Sequence, residues 1–270
     1  FFGGDYDNFT YPRYDLDIAF IRAYENGKPA VTPNYFKFSE TGASDGAFVV
    51  VPGNPGSTDR LSTVAKLAYQ RDVGNPLVKK ALEARLRPLQ EYAKLGDEQH
   101  RQASPTIRGL NNTLKRLAGQ QEGLLNPRQF GNKEAEEKAL RDALAKKPEL
   151  DKLYAPAWDQ IAKAYQALPA MAPRLMFSTL SPSRLGTIAS QIVRYADEIK
   201  KPNDQRYDEF RDNRLESFKF SLLSPAPIYP ELEVTSLSSW LNEAVNTLGR
   251  NDPFVKAAIG DADVSEAVRR

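Results

Sequence analysis

The residues best suited to chemistry are crowded at the start of the chain. Gly3-Gly4-Asp5-Tyr6-Asp7-Asn8-Phe9-Thr10-Tyr11-Pro12-Arg13-Tyr14-Asp15-Leu16-Asp17 mixes glycine, carboxylates, aromatic rings and one amide in a run with no helical or strand period. Carboxylate and amide oxygens are hydrogen-bond acceptors. Such a run reads either as a turn-rich segment at a site or as a polar β-hairpin loop. A calcium loop beginning at Asp5 fails: Thr10 stands where glycine is needed and Leu16 where the bidentate glutamate belongs. His100 is the only histidine, and Asp97, Glu98, Gln99 and Arg101 around it are all polar. It reads as a solvated residue at a helix end. These residue types alone provide no complete catalytic constellation, no metal site and no cofactor site.

The elements that must position this run are bounded first by composition. A chain of 270 residues accommodates two modest domains. Lys+Arg number 37 and Asp+Glu 35, a formal charge of +2, so no concentrated positive surface speaks for nucleic acid or anionic lipid. With no cysteine there is no disulfide, thiolate metal site or Cys nucleophile, a composition compatible with an oxidising periplasm. The apolar stretches fall short of the ~18–20 residues that span a bilayer, so no membrane segment is expected. The chain opens at Phe1-Phe2 without an initiator Met, which reads as a piece of a longer protein with any targeting segment upstream. Dinucleotide-binding, P-loop, Gly-x-Ser-x-Gly and His-Glu-x-x-His signatures are missing from the sequence.

The hydrophobic pattern changes once along the chain. Up to about Thr58 it reads as β: Asp17–Tyr24 followed by the turn Asn26-Gly27, then Tyr35–Phe38, then Ala47–Val51 closed by Pro52-Gly53. Beyond residues 58–70 the period is helical. Leu150, Leu153, Tyr154, Ala157, Trp158, Ile161, Tyr165 and Leu168 form one stripe. Leu185, Ile188, Ala189, Ile192, Val193, Ala196 and Ile199 form a second, and Leu237, Leu241, Ala244, Val245 and Leu248 a third. Ser181-Pro182 and Asp252-Pro253 are expected helix starts, and Gly249 and Gly260 expected stops. Two shorter helices are predicted over Asn132–Lys146 and Leu77–Lys94, the latter kinked at Pro88. Pro202–Asp212 and Ser224–Glu231 read as connectors. This segregation argues for a β unit over 1–65 and a helical unit over 66–270.

Gly3-Gly4-Asp5-Tyr6-Asp7-Asn8-Phe9-Thr10-Tyr11-Pro12-Arg13, with Asp17 nine residues after Asn8, resembles the S46 serine peptidases, bacterial dipeptidyl-peptidases. Gly53-Asn54-Pro55-Gly56-Ser57-Thr58-Asp59-Arg60 is similar to that family's lead into its helical domain, and Asn112-Thr113-Leu114-Lys115 to its Asn-x-x-Lys helix. The resemblance implies part of a chymotrypsin-like double β-barrel followed by a mainly α-helical domain that roofs the cleft. It implies Asp17 as the triad aspartate, which accepts the histidine Nδ1 hydrogen bond and fixes its tautomer. It implies Asn8, Phe9 and Asn112 at the substrate's free α-amino group, which is largely cationic at neutral pH. The triad order His, Asp, Ser places the histidine before Phe1 and the serine after Arg270, so the chain by itself is expected to be inert.

Some positions depart from the family pattern. Phe9 stands for the usual Trp, Tyr11-Pro12-Arg13-Tyr14 for Trp-Pro-Arg-His, and Asp15-Leu16-Asp17 for Thr-Gly-Asp. Residues two apart share a face of a strand, so Asp15 competes with Asp17 on chemistry alone, and the spacing to Asn8 favours Asp17. For the full-length protein the resemblance implies a periplasmic or secreted exopeptidase, acting on peptides with a free N-terminus as a homodimer and without a cofactor. The rivals are a helical interaction module and a homologue that has lost its triad.

Overall fold

In the computed structural model, which describes residues 20–50, 59, 61–180 and 182–269, almost all regular structure is helical. The chain divides into two compact units, one over Thr10–Leu61 and one containing Ser62–Arg270.

The first unit contains a single two-residue hairpin among its described residues. Strands β1 (Tyr24–Glu25) and β2 (Lys28–Pro29) pair antiparallel, Tyr24 opposite Pro29. Asn26 and Gly27 take φ of 52° and 75°, the left-handed pair that a tight hairpin requires. The expected strands over Tyr35–Phe38 and 47–50 are not formed, nor is a strand over 20–23; Val51 lies outside the described residues. Phe20, Phe36 and Phe48 are 82%, 101% and 93% exposed. The expectation of a double β-barrel is therefore corrected: the chain is mostly helical. A barrel requires every strand to be paired on both edges and to bury one face. The apolar runs in this segment have β composition but neither ladder partners nor a covering layer among the described residues.

The second unit is a helical assembly. Helix α1 (Val64–Tyr69) runs through a π-helical turn (Gln70–Gly74) into α2 (Asn75–Ala93), which continues through Pro88. Gln121 stabilises this turn from across the fold. Its Nε2 donates to the Arg71 carbonyl at 2.7 Å, and its Oε1 accepts from buried Asn75 Nδ2 at 3.0 Å. Long helices follow: α3 (Asp97–Leu125), α4 (Pro127–Ala145) and α5 (Pro148–Phe177). Helix α4 starts five residues before the expected Asn132, because Asn126 Oδ1 accepts from the Arg128 and Gln129 amides and Pro127 occupies the first turn.

Helix α6 (Arg184–Glu198) is capped by Ser183, whose Oγ accepts the Gly186 amide at 2.9 Å; this corrects the expected start at Ser181-Pro182. Two 3-10 turns (Asn203–Gln205 and Asp208–Phe210) and an irregular stretch flank α7 (Asp212–Leu222). Helices α8 (Pro230–Leu248), α9 (Pro253–Ile259) and α10 (Val264–Ala267) close the chain. Gly249 and Gly260 sit at helix ends with φ of 82° and 58°, as their stop roles require, and Asp252 caps α9 through the Phe254 amide at 2.8 Å.

Packing concentrates on α2, α8 and the end of α5. Phe177, Trp240, Leu241, Ala244, Val255 and Ile259 are buried together, with Ala81 from α2. The Phe177 and Trp240 rings meet tilted, centroids 4.9 Å apart. Trp240 satisfies its buried indole N–H on the Thr179 carbonyl at 2.7 Å. Helix α3 lies along α2 through Ala103, Leu110 and Leu117, a seven-residue seam.

Candidate functional site

Of the sequence-derived site residues, Asn112 alone falls among the described residues; Asn8, Phe9, Asp15 and Asp17 lie outside them. Asn112 is on α3, near the middle of a helix whose buried seam is Ala103, Leu110 and Leu117. At 100° per residue, Arg108, Asn112, Lys115 and Gly119 fall on the side opposite that seam. Asn112 is nevertheless half-buried, and Arg108, Asn112 and Lys115 all engage partners. A side chain placed at Gly119 would meet nothing within 4 Å, so this face is open one turn beyond Lys115. The neighbouring Thr113 hydroxyl is committed to its own helix, donating to the Gly109 carbonyl at 2.9 Å.

Two cations flank the Asn112 amide, one turn to either side.

His100 is exposed in the first turn of α3, as its polar neighbours imply, and Ser104 Oγ donates to its carbonyl at 2.6 Å. Among the described residues no three His, Cys, Asp or Glu side chains converge to hold a metal ion. None of the described helices is long and apolar enough to cross a membrane.

Sequence reasoning missed a polar network where α2, α3 and α8 approach one another. Arg101 forks onto Glu98 at 2.7 and 2.6 Å and donates to Tyr229 Oη at 3.0 Å. Gln102 donates to Glu98 at 3.0 Å and accepts the Tyr92 hydroxyl at 2.5 Å. The Arg101 guanidinium, then the Gln102 amide, hold the Glu98 carboxyl down at about 2. The Glu98-x-x-Arg101 spacing was the available signal; the Tyr229 partner, 128 residues away, left none.

Comparison with known proteins completes the picture. A family model described as Peptidase S46 matches residues 1–270. An Asp/Glu-specific dipeptidyl-peptidase of Shewanella putrefaciens is 26% identical over 233 residues, covering 82% of this chain and 31% of the relative. A second protein of that name, from Capnocytophaga gingivalis, is 34% identical over 28% of this chain and 12% of its own length. A dipeptidyl-peptidase 7 of Phocaeicola vulgatus is 25% identical over 54% of this chain and 22% of its own. The chain thus spans about a third of the length of the Shewanella relative.

Proposed function

Because the chain belongs to the peptidase S46 family, we propose that it is the helix-rich part of a serine exopeptidase that removes dipeptides from free peptide N-termini. The observation that carries this reading is the family match over all 270 residues, with relatives whose names all specify dipeptide release. Only some of those names carry an acidic preference, so the proposal stops at dipeptide release.

In this reading Asp17 accepts the Nδ1–H of a histidine elsewhere in the full-length protein and stabilises the imidazolium as a serine attacks the scissile carbonyl. Asn8 and Asn112 offer carbonyl oxygens to the substrate ammonium, and Phe9 walls it. Asn112 lies half-buried on the face of α3 opposite its buried seam, a placement compatible with that role. The helical unit limits the cleft to two residues ahead of the cut. The full-length protein is periplasmic or secreted and works as a homodimer.

The test uses the full-length protein with a dipeptidyl reporter bearing a free or an acetylated amino terminus. Turnover of the free form only, with Asp17→Asn slowed by something like ~10⁴, is the expected result. Equal cleavage of the acetylated form removes the amine anchor, and full activity of Asp17→Asn removes that residue from the triad. No turnover of any reporter leaves a helical interaction module or an inactive homologue.

A further inference from the structure

Between the end of α5 and the outer side of α6 lies an open cleft of about 670 Å³, lined by residues that include Ser178, Thr179, Ser190, Arg194, Glu209 and Phe254. That volume falls within the range of small-molecule sites. Its polar groups are incompletely used by the fold. Ser178 Oγ is shielded from solvent and has no hydrogen-bond partner among the described residues. Arg194 comes from α6 and Glu209 from the 3-10 turn at Asp208–Phe210, and among the described residues neither has an ion-pair partner. The Ser190 hydroxyl donates to the Gly186 carbonyl at 2.8 Å, so only its lone pairs remain for a ligand.

One guanidinium, one carboxylate and a lone-pair-bearing hydroxyl, supplied by two elements around a concave surface, define the ligand. A ligand of one sign answers only one of the two charges. A molecule with a free α-amino and a free α-carboxyl group is ionised at both ends near neutral pH and answers both. The guanidinium fork matches a carboxylate, and an ammonium has three N–H donors for Glu209 and the Ser190 oxygen. Ala189, Val193 and Phe254 supply apolar wall for side chains between the ends.

We propose that this cleft binds a short peptide with both termini free, Arg194 taking the carboxylate and Glu209 the ammonium. The site is on the α5–α6 side of the helical unit and uses no residue of the dipeptide-release reading, so the two stand or fall separately.

The test is hydrogen–deuterium exchange of the full-length protein with saturating Ala-Ala, N-acetyl-Ala-Ala or Ala-Ala-amide. Ala-Ala is expected to slow exchange over residues 178–194 by about threefold or more, with much less protection from either capped form. Arg194→Met should abolish the discrimination against the amide, and Glu209→Gln that against the acetylated form. Both side chains are exposed, so neither substitution threatens folding. Unchanged exchange over 178–194, equal protection by all three peptides, or variants that discriminate like wild type would each overturn the proposal. Protection confined to α3 around Asn112 would overturn it too, while supporting the amine anchor there.

Discussion

Ser183 and Glu233, fifty residues apart, together build the start of α6: Ser183 Oγ donates to Glu233 Oε2 at 2.7 Å while accepting the Gly186 amide at 2.9 Å. The same Glu233 oxygen accepts the Leu185 amide at 2.9 Å. A helix start is the positive end of its dipole and leaves amides unpaired, so a carboxylate reaching in from α8 both neutralises and satisfies it. Ser183→Ala loses the cap and the Glu233 partner, and is expected to cost about 1–2 kcal/mol. A double-mutant cycle with Glu233→Gln, read by chemical denaturation, should give a coupling of roughly 0.5–3 kcal/mol rather than additivity.

Gly186 stands where no other residue fits. A Cβ there would lie 2.6 Å from Leu180 Cβ and 2.8 Å from the Leu180 carbonyl oxygen. Both obstacles are close to the backbone and cannot swing away. Gly186→Ala is therefore expected to destabilise by about 1–3 kcal/mol in spite of its better helix propensity. Gly119→Ala, with open space around it, should be neutral or slightly stabilising, and thermal melts of the two variants make the comparison.

Phe177 is fully buried against Trp240 at the junction of α5 and α8. Phe177→Ala should cost about 3–5 kcal/mol, through lost burial and the cavity left behind. Trp240→Phe keeps most of the ring but loses the bond to the Thr179 carbonyl, and should cost less, about 1–2 kcal/mol. Denaturant midpoints at constant slope test that order.

The Glu98 network predicts a pH dependence. Its folded pKa of about 2 lies below the ordinary 4.5, held there first by Arg101 and then by Gln102. A depressed carboxylate contributes stability that is fully present above the unfolded pKa and is lost as pH falls through the folded one. The stability difference between wild type and Glu98→Gln should therefore be constant above pH of about 4.5 and vanish by about 2. The pair is exposed, so the difference is small and shrinks with added salt. Denaturation series at low and high salt read both effects.

If Asn112 binds the substrate amine, Asn112→Ala in the full-length protein should raise KM by roughly tenfold to a hundredfold, the worth of a hydrogen bond to a charged group. The melting temperature is read alongside, because Asn112 is half-buried and the substitution also removes the partner it engages. A loss of kcat with unchanged KM would place Asn112 elsewhere in the reaction.

How far the sequence carried the reading differs from element to element. The three apolar stripes all proved helical, since a 3.6-residue period is a local property. Yet the stripe on α8 buries Leu241 and Ala244, while that on α6 leaves Leu185, Ile192 and Val193 at 50%, 50% and 64% exposure. Periodicity names the face and not what covers it. The seam of α3 escaped notice because one of its three residues is alanine and most of the helix around it is polar. Residues 20–23, 35–38 and 47–50 carry strand composition, but a strand exists only through its neighbours, and composition cannot supply them.

The sequence by itself determined the helical period, the Asn26-Gly27 turn, the Asp252 cap and the glycine stops, because each depends on residues within a few positions of one another. It also carried the family resemblance, which lies in side-chain order along the chain. Only the tertiary structure decided that Glu233 caps α6, that Glu137 accepts the Val64 amide at the start of α1, and that Gln121 closes the π-helical turn. Those partners come from 46 to 73 residues away. No local pattern encodes them, since they arise when packing of the apolar seams brings the helices together and leaves particular polar groups to be satisfied.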